Sequence, residues 1–346
     1  MPSQSLKASS PDKRLADIFD LEDGLQSGYE ALAELIHNHD RFLVVAHVGP
    51  DGDAIGSTLG LCHLLWGLGK QAVPFNADPV PFNFAFFDGA DRFVQALAPE
   101  DAFDVTIVLD CAEPGRVGES FPPNGWGAHI AVVDHHLTWD PDFASLYVRD
   151  TNAAAVGEMI FRLALTLGAR LDRATAECCY TSLMTDTGGF RYGKTSTTTF
   201  LIASHLLTHG VDPWRINSHV YENEPLSRMR LLARVLDTLD VSACGRLAFV
   251  RVDGEMLAQT GATSNMLDGF INYARQIKGV EVATQLRQID QGSYKVSFRS
   301  SGAINVAALA EAFGGGGHHN AAGCVIAGDA PTIQAQLADR LSALLS

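Results

Sequence analysis

Two hydrophobic periods alternate along this chain. Short, nearly unbroken apolar runs rich in β-branched and aromatic residues occupy 42–46, 71–75, 104–109 and 129–133 and read as buried strands. Before, between and after them the apolar spacing changes to three and four, which predicts helices over 25–40, 57–68, 153–167, 174–185 and 197–210. Ser57 is the expected N-cap of the second helix and Gly69 its stop signal. The Pro- and Phe-rich piece 76–88 reads as an irregular loop. Strands that alternate with helices imply an α/β domain with a mostly parallel, doubly wound sheet covered on both faces. In such a sheet the ligand crevice lies beyond the carboxyl ends of the strands.

The pattern weakens after Gly210. Residues 211–230 are charged and mostly non-strand, and 231–239 form an apolar, helix-like run. From 247 the order begins again, with strand 247–252, helix 267–277, strands 280–289 and 294–299, helix 306–313, a glycine run, a strand and a closing helix 332–345. We therefore expect a larger first domain over 25–210, a helical linker over 211–240, and a smaller α/β domain over 241–346, with a cleft between the domains. No internal repeat is evident.

At 346 residues, 47% hydrophobic and 19% charged, the chain can bury two real cores and is neither disordered nor fibrous. Residues 1–13 are polar and Ser-rich and are expected to be flexible, and no run approaches a membrane span. The expectation is a cytoplasmic protein with no membrane partner. Cys62, Cys111, Cys178, Cys179, Cys244 and Cys324 form no C-x-x-C pair and read as buried free thiols. A net charge of -15 argues against a broad, sequence-independent grip on long nucleic acid, which needs many phosphate contacts. A short anionic substrate held locally is still permitted.

Candidate chemistry gathers at the strand ends. The first strand runs into His47-Val-Gly-Pro-Asp51-Gly-Asp53, the third ends on Asp110, and the fourth ends on Asp134-His135-His136. Thr185-Asp186-Thr187-Gly188 follows a predicted helix. Singly, each could be a solvated turn, because Asp and Gly are common turn residues. Jointly, so many carboxylates around one crevice would repel one another unless cations sat between them. Mixed imidazole and carboxylate donors suit two divalent metal ions, with Mn²⁺ preferred and Mg²⁺ or Co²⁺ as alternatives. Paired ions in hydrolytic sites lie about 3.5–4 Å apart and share a carboxylate.

In order along the chain, these motifs, with Phe190-Arg191-Tyr192 and the terminal Gly315-Gly316-Gly317-His318-His319-Asn320-Ala-Ala-Gly323, resemble the DHH phosphoesterase superfamily with its C-terminal DHH-associated domain. Lacking an inserted nucleic-acid-binding module, the chain is similar to the NrnA-type branch of oligoribonucleases and pAp phosphatases, whereas RecJ-type exonucleases are usually longer. The resemblance implies that His47, Asp51 and Asp110 hold one ion and that Asp53, Asp110, His135 and Asp186 hold the other. It makes Asp110 the bridge, Asp134 the group that orients His135 through its ring N–H, and His136 a donor or acid toward the phosphate or leaving group. His136, Asp110 and Asp134 are thus the expected catalytic residues. The implied substrates are short RNA oligonucleotides and nucleotide bisphosphates such as 3'-phosphoadenosine-5'-phosphate (pAp). A homodimer is the candidate oligomeric state.

The second domain is the expected substrate gripper. Arg275, Lys278, Arg287, Lys295 and Arg299 face only Glu281 and Asp290 between 270 and 300, a basic stretch in an acidic protein. The glycine run 314–317 would let backbone N–H groups approach a phosphate closely. By the resemblance, Arg299, Gly315, Gly316, Gly317, His318 and His319 contact the substrate. Phe190, Tyr192 and Tyr273 are candidates for base stacking, although core packing is the commoner role of such residues. Two other functions fit the first-domain motifs: an inorganic pyrophosphatase, against which the 315–323 motif speaks, and a catalytically silent nucleotide sensor.

Overall fold

Helix α1 (Asp23–Asn38) leads into strand β1 (Arg41–Val45), helix α2 (Gly52–Gly67) and strand β2 (Gln71–Phe75). Strands β3 (Val105–Leu109), β4 (His129–Asp134) and β5 (Leu146–Arg149) complete a parallel five-stranded sheet in the order β2-β1-β3-β4-β5. This computed structural model describes residues 21–122, 125–267, 269–302 and 304–345, and the polar start 1–13 lies outside them. The central strand β3 is buried at every position, and β1 and β4 are buried except at their N-terminal ends, as parallel strands between helical layers must be. Pro74 is tolerated because β2 is an edge strand. The sequence pattern misses β5, whose four residues, Leu-Tyr-Val-Arg, are too short and too mixed to stand out.

Helices α3 (Val156–Thr166), α4 (Arg173–Asp186), α5 (Thr197–Leu207) and α6 (Pro213–Tyr221) follow. Helix α2 is buried on all sides from Gly52 to Leu65, so its apolar residues wrap the whole helix instead of forming one stripe. It packs on α4 through small residues. A Cβ at Gly52, Gly56 or Gly60 would meet Thr185, the Cys178 carbonyl and Cys179, respectively. One expectation is corrected here: α2 begins at Gly52, capped by Asp51, and not at Ser57. Asp51 Oδ1 accepts from the backbone N–H of Asp53 and Ala54, both at 3.0 Å, and this cap extends the helix back into the acidic loop. Ser57 lies inside the helix, its hydroxyl donating to the Asp53 carbonyl at 2.6 Å.

The chain divides into two compact units, the first ending at Asn223 and the second starting at Glu224. The stretch 211–240 contributes a helix to each. Helix α6 enters the first core through Ile216 and Val220, whereas α7 (Leu226–Leu236) enters a second-unit core through Leu231, Leu232 and Val235.

The second unit continues with β6 (Asp240–Val241), β7 (Leu247–Val252), α8 (Gly254–Thr260), α9 (Phe270–Arg275), β8 (Val282–Asp290), β9 (Ser293–Ser300), α10 (Val306–Glu311), β10 (Gly316–His318), β11 (Ala321–Ala327) and α11 (Ala330–Leu345). Its sheet runs β10-β11-β9-β8-β7-β6 and is antiparallel except where β7 meets β8. Tyr294, Val296 and Phe298 of β9 point into a core closed by Ile333, Leu337 and Leu341 of α11. The alternate residues Lys295, Ser297 and Arg299 take the opposite face. Part of the glycine run is strand, not loop: Gly316, Gly317 and His318 pair with Gly323, Ala322 and Ala321. A Cβ at Gly315 or Gly317 would strike that neighbouring strand, so these two glycines serve close packing.

Candidate metal centre

Four segments deliver the strand-end acids and imidazoles to one place. His47 follows β1, and its carbonyl accepts from Asn76 Nδ2 at 2.9 Å while the Gly49 N–H donates to Asp78 Oδ2 at 2.7 Å. Asp53 sits in the first turn of α2, fully buried. Its Oδ2 accepts from the Val156 N–H at the start of α3 (2.9 Å), and its Oδ1 accepts from Ser182 Oγ of α4 (2.5 Å). Asp110 leaves β3 with φ 59, a left-handed conformation that a non-glycine residue adopts at a cost. Asp186 is the last residue of α4.

The side chains converge on Asp110, and its two oxygens face different neighbours. Oδ2 lies 3.2 Å from His47 Nε2. Oδ1 lies 3.5 Å from His135 Nε2 and 3.6 Å from His136 Nδ1. His135 Nε2 is also 3.6 Å from Asp186 Oδ2 and 3.7 Å from Asp53 Oδ2. Three triads therefore present ligand atoms within 4.8 Å of one another: His47 with Asp51 and Asp110, Asp53 with His135 and Asp186, and Asp110 with His135 and His136.

Hydrogen bonds select the ligand nitrogens. His47 Nδ1 lies 2.9 Å from the Val48 carbonyl and His135 Nδ1 lies 3.1 Å from the Ala153 carbonyl, so each ring commits Nδ1 to a backbone oxygen and turns Nε2 toward the carboxylates. The latter bond corrects the expected role of Asp134, which does not touch the His135 ring. Asp134 Oδ1 accepts from the backbone N–H of His135 (2.8 Å) and from His136 Nδ1 (2.7 Å). It shapes the turn and orients His136, whose ring is partly exposed. The reason is competition for the ring nitrogen: the Ala153 carbonyl takes His135 Nδ1, and Nε2 faces the carboxylates of Asp53, Asp110 and Asp186.

The electrostatics fit cations. Burial raises the Asp53 carboxyl well above its ordinary range, and the Asp110 and Asp186 carboxylates push it further. Burial likewise lifts Asp186 to about 6, against the pull of His135. Burial would raise Asp110 too, but the facing imidazoles of His135 and His47 outweigh it and hold that carboxyl low. Burial opposes charge on the two imidazoles, yet Asp110 and its neighbours bring His47 to about 9 and His135 to about 10. Asp110 Oδ1, aimed into the cluster, has no hydrogen-bond partner among the described residues. A buried acceptor without a donor, beside imidazoles that only protons neutralise against the acids, is what a divalent ion would satisfy.

Arg299, Gly315, Gly316, Gly317 and His319 belong to the second unit. Arg299 is half-buried and donates from Nη1 to the Phe298 carbonyl at 3.0 Å, and His319 is exposed. The side chain of His318 lies outside the described residues. Asn320 ties Ser300 to Gly302 through its amide and so has a structural role. Among the stacking candidates, Phe190 packs against the first core, whereas Tyr192 and Tyr273 are about half exposed, contrary to the core-packing expectation. Sequence reading misses Ser182, one helical turn before Asp186 and on the same face, and Lys194, whose Nζ lies 3.5 Å from the His135 carbonyl.

Residues 41–183 match the DHH family, N-terminal domain, and residues 246–345 match the DHHA1 domain. The chain is 34% identical over 285 residues to the bifunctional oligoribonuclease and PAP phosphatase NrnA of Thermus thermophilus, covering 82% of this chain and 84% of that one. It is 28% identical to the protein of the same name from Bacillus subtilis, covering 85% and 92%. The crystal structure of an exopolyphosphatase-related protein from Bacteroides fragilis superposes with a TM-score of 0.83 at 28% identity, covering 93% of this chain and 98% of that one.

Proposed function

Since the chain belongs to the DHH family of phosphoesterases, with a DHHA1 domain following, we propose that it hydrolyses very short oligoribonucleotides and linear dinucleotides to mononucleotides and removes phosphate from pAp. The observation that carries this reading is Asp110, whose two oxygens address two separate donor groups as a bridging carboxylate between paired ions must. His47, Asp51 and Asp110 would hold one divalent ion, and Asp53, Asp110, His135 and Asp186 the other. The mixed oxygen and imidazole donors favour Mn²⁺. Such ions, when bound, offset phosphoryl charge and make water acidic enough to attack near neutral pH.

The chain's own groups do the rest. Ser182 and the α3 amides fix Asp53, and Val48 and Ala153 fix the histidine tautomers. His136, steered by Asp134 through Nδ1, keeps Nε2 for a hydrogen bond or proton to the leaving oxygen. In the second domain, Arg299, His318 and His319 beside the 315–317 glycines would bind a terminal phosphate of the substrate. That division of labour favours short substrates over long polymers. All six cysteines are free, five of them buried as expected and Cys244 exposed, and free thiols agree with a reducing, cytoplasmic setting. No helix among the described residues is long and apolar enough to cross a membrane.

A time course with Mn²⁺ on 5'-labelled and 3'-labelled oligoribonucleotides of graded length, alongside pAp and pyrophosphate, tests the reading. Turnover of the two-to-five-residue oligomers and of pAp supports it. Release of phosphate from pyrophosphate alone would establish the pyrophosphatase alternative, which relatives matched over most of their length, under an oligoribonuclease name, disfavour.

A further inference from the structure

The turn that follows Asp186 carries an aromatic ring and a cation that the metal centre does not use. Phe190 adopts φ 62, a strained conformation for a bulky side chain. Its ring is pinned between Tyr180 and Phe200, with centroids 5.9 and 5.4 Å away. The Thr187 carbonyl accepts from the N–H groups of both Arg191 and Tyr192 at 2.9 Å, and Thr187 Oγ1 accepts from the Phe190 N–H at 2.9 Å. The turn is therefore rigid, and it reverses the chain so that Tyr192 lies back over Gly188. A Cβ at Gly188 would come within 2.4–2.7 Å of three Tyr192 ring carbons, so the ring rests against the glycine backbone two residues from a candidate metal ligand.

That ring is not core. Tyr192 is 53% exposed and neighbours Tyr221, itself 48% exposed, and Arg191. Two residues further on, Lys194 places its ammonium 3.5 Å from the carbonyl of His135, at the edge of the metal cluster. A positive charge beside the candidate ligands His135 and Asp186, next to a rigid exposed aromatic face, has the outline of a nucleotide site: phosphate, then base. A tyrosine held on glycine has little conformational freedom to lose on stacking, and base-on-aromatic stacking is tolerant of base identity.

We propose that Tyr192 is a specificity-determining residue, the platform on which the base next to the scissile phosphate stacks, with Lys194 meeting an oxygen of that phosphate. This rests on the phosphoesterase reading above. It predicts that the enzyme prefers substrates with a base over the same sugar phosphates without one, and that the preference resides in this ring.

The test compares kcat/KM for adenosine 3',5'-bisphosphate and for base-free ribose 3',5'-bisphosphate. Tyr192→Ala should collapse the ratio of the two by roughly 10- to 100-fold, chiefly through KM, whereas Tyr192→Phe, which keeps the ring face, should retain it. Lys194→Gln should lower kcat/KM for both compounds and leave their ratio in place. A wild-type ratio in Tyr192→Ala, or equal loss on both compounds in that variant, overturns the inference alone. A wild-type enzyme that hydrolyses neither of these compounds nor a dinucleotide refutes the phosphoesterase reading and the inference with it.

Discussion

Gly56 tests whether the contact between α2 and α4 is what positions the metal ligands, because those helices carry Asp53 and Asp186. A Cβ at position 56 would lie 2.7 Å from the Cys178 carbonyl oxygen and 3.2 Å from the Ser182 backbone nitrogen and Cβ. The nearest atom is backbone and cannot rotate away, so Gly56→Ala must push the helices apart by several tenths of an ångström. Alanine gains up to about 1 kcal/mol in helix propensity, while overpacking a tight core costs about 1–3 kcal/mol. The net loss should be about 0.5–2 kcal/mol, a fall of roughly 1–8 °C in the first unit's Tm. Gly67, in the same helix, provides the control: its Cβ would meet nothing within 4 Å among the described residues, so Gly67→Ala should be neutral or stabilising. Thermal unfolding of both variants, with and without Mn²⁺, reads the outcome. Gly56→Ala should unfold earlier and gain less from the metal than wild type, because Ser182, which holds Asp53, is displaced with α4. A Gly56→Ala protein as stable as Gly67→Ala, with the wild-type response to Mn²⁺, would refute the claim that this contact sets the ligand geometry.

Other expectations follow from the same site. Asp110→Asn should lower turnover of a dinucleotide by roughly 10²- to 10³-fold while the far-ultraviolet circular dichroism stays as in wild type; near-normal turnover would remove Asp110 from the mechanism. Ser182→Ala unties Asp53 Oδ1 and should weaken Mn²⁺ binding about 10- to 100-fold, measured by titration calorimetry. His47 and His135 stay protonated up to about 9 and about 10 in the metal-free protein, so each must release a proton to ligate. The apparent Mn²⁺ affinity should therefore climb as pH rises from 6 to 8, with proton release seen in buffers of different ionisation enthalpy, and a flat profile would count against imidazole ligation. Saturating Mn²⁺ at about 100 times its Kd should stabilise the fold by about 2.7 kcal/mol, a gain that EDTA reverses and that Asp110→Asn should largely lose.

The parallel sheet is legible in the sequence because its central strands are buried on both faces and so write nearly unbroken apolar runs, as in Val105–Leu109, where Thr106 is the one polar member. The edge strand Leu146–Arg149 writes no such run: it meets one neighbour, and only Val148 is fully buried. The start of α2 is hidden for another reason. Asp51, Gly52 and Asp53 look like a turn, and only the capping geometry shows that the helix has already begun there. Convergence of the ligands is legible from topology, since acids at the ends of adjacent parallel strands must meet. What holds them is not. The Ser182 bond to Asp53 joins residues 129 apart, and the Ala153 carbonyl under His135 is backbone that carries no side-chain signal. Gly315 and Gly317 read as a phosphate loop because glycine permits close approach, and what approaches them in the fold is a neighbouring strand.

The central claim is that one pocket holds two cations on a shared Asp110. Anomalous diffraction from crystals grown with Mn²⁺, recorded at the manganese absorption edge, addresses it most directly. The account predicts two peaks, one beside His47 and Asp51, the other beside Asp53, His135 and Asp186, with Asp110 between them. A single peak, or peaks away from Asp110, would contradict it.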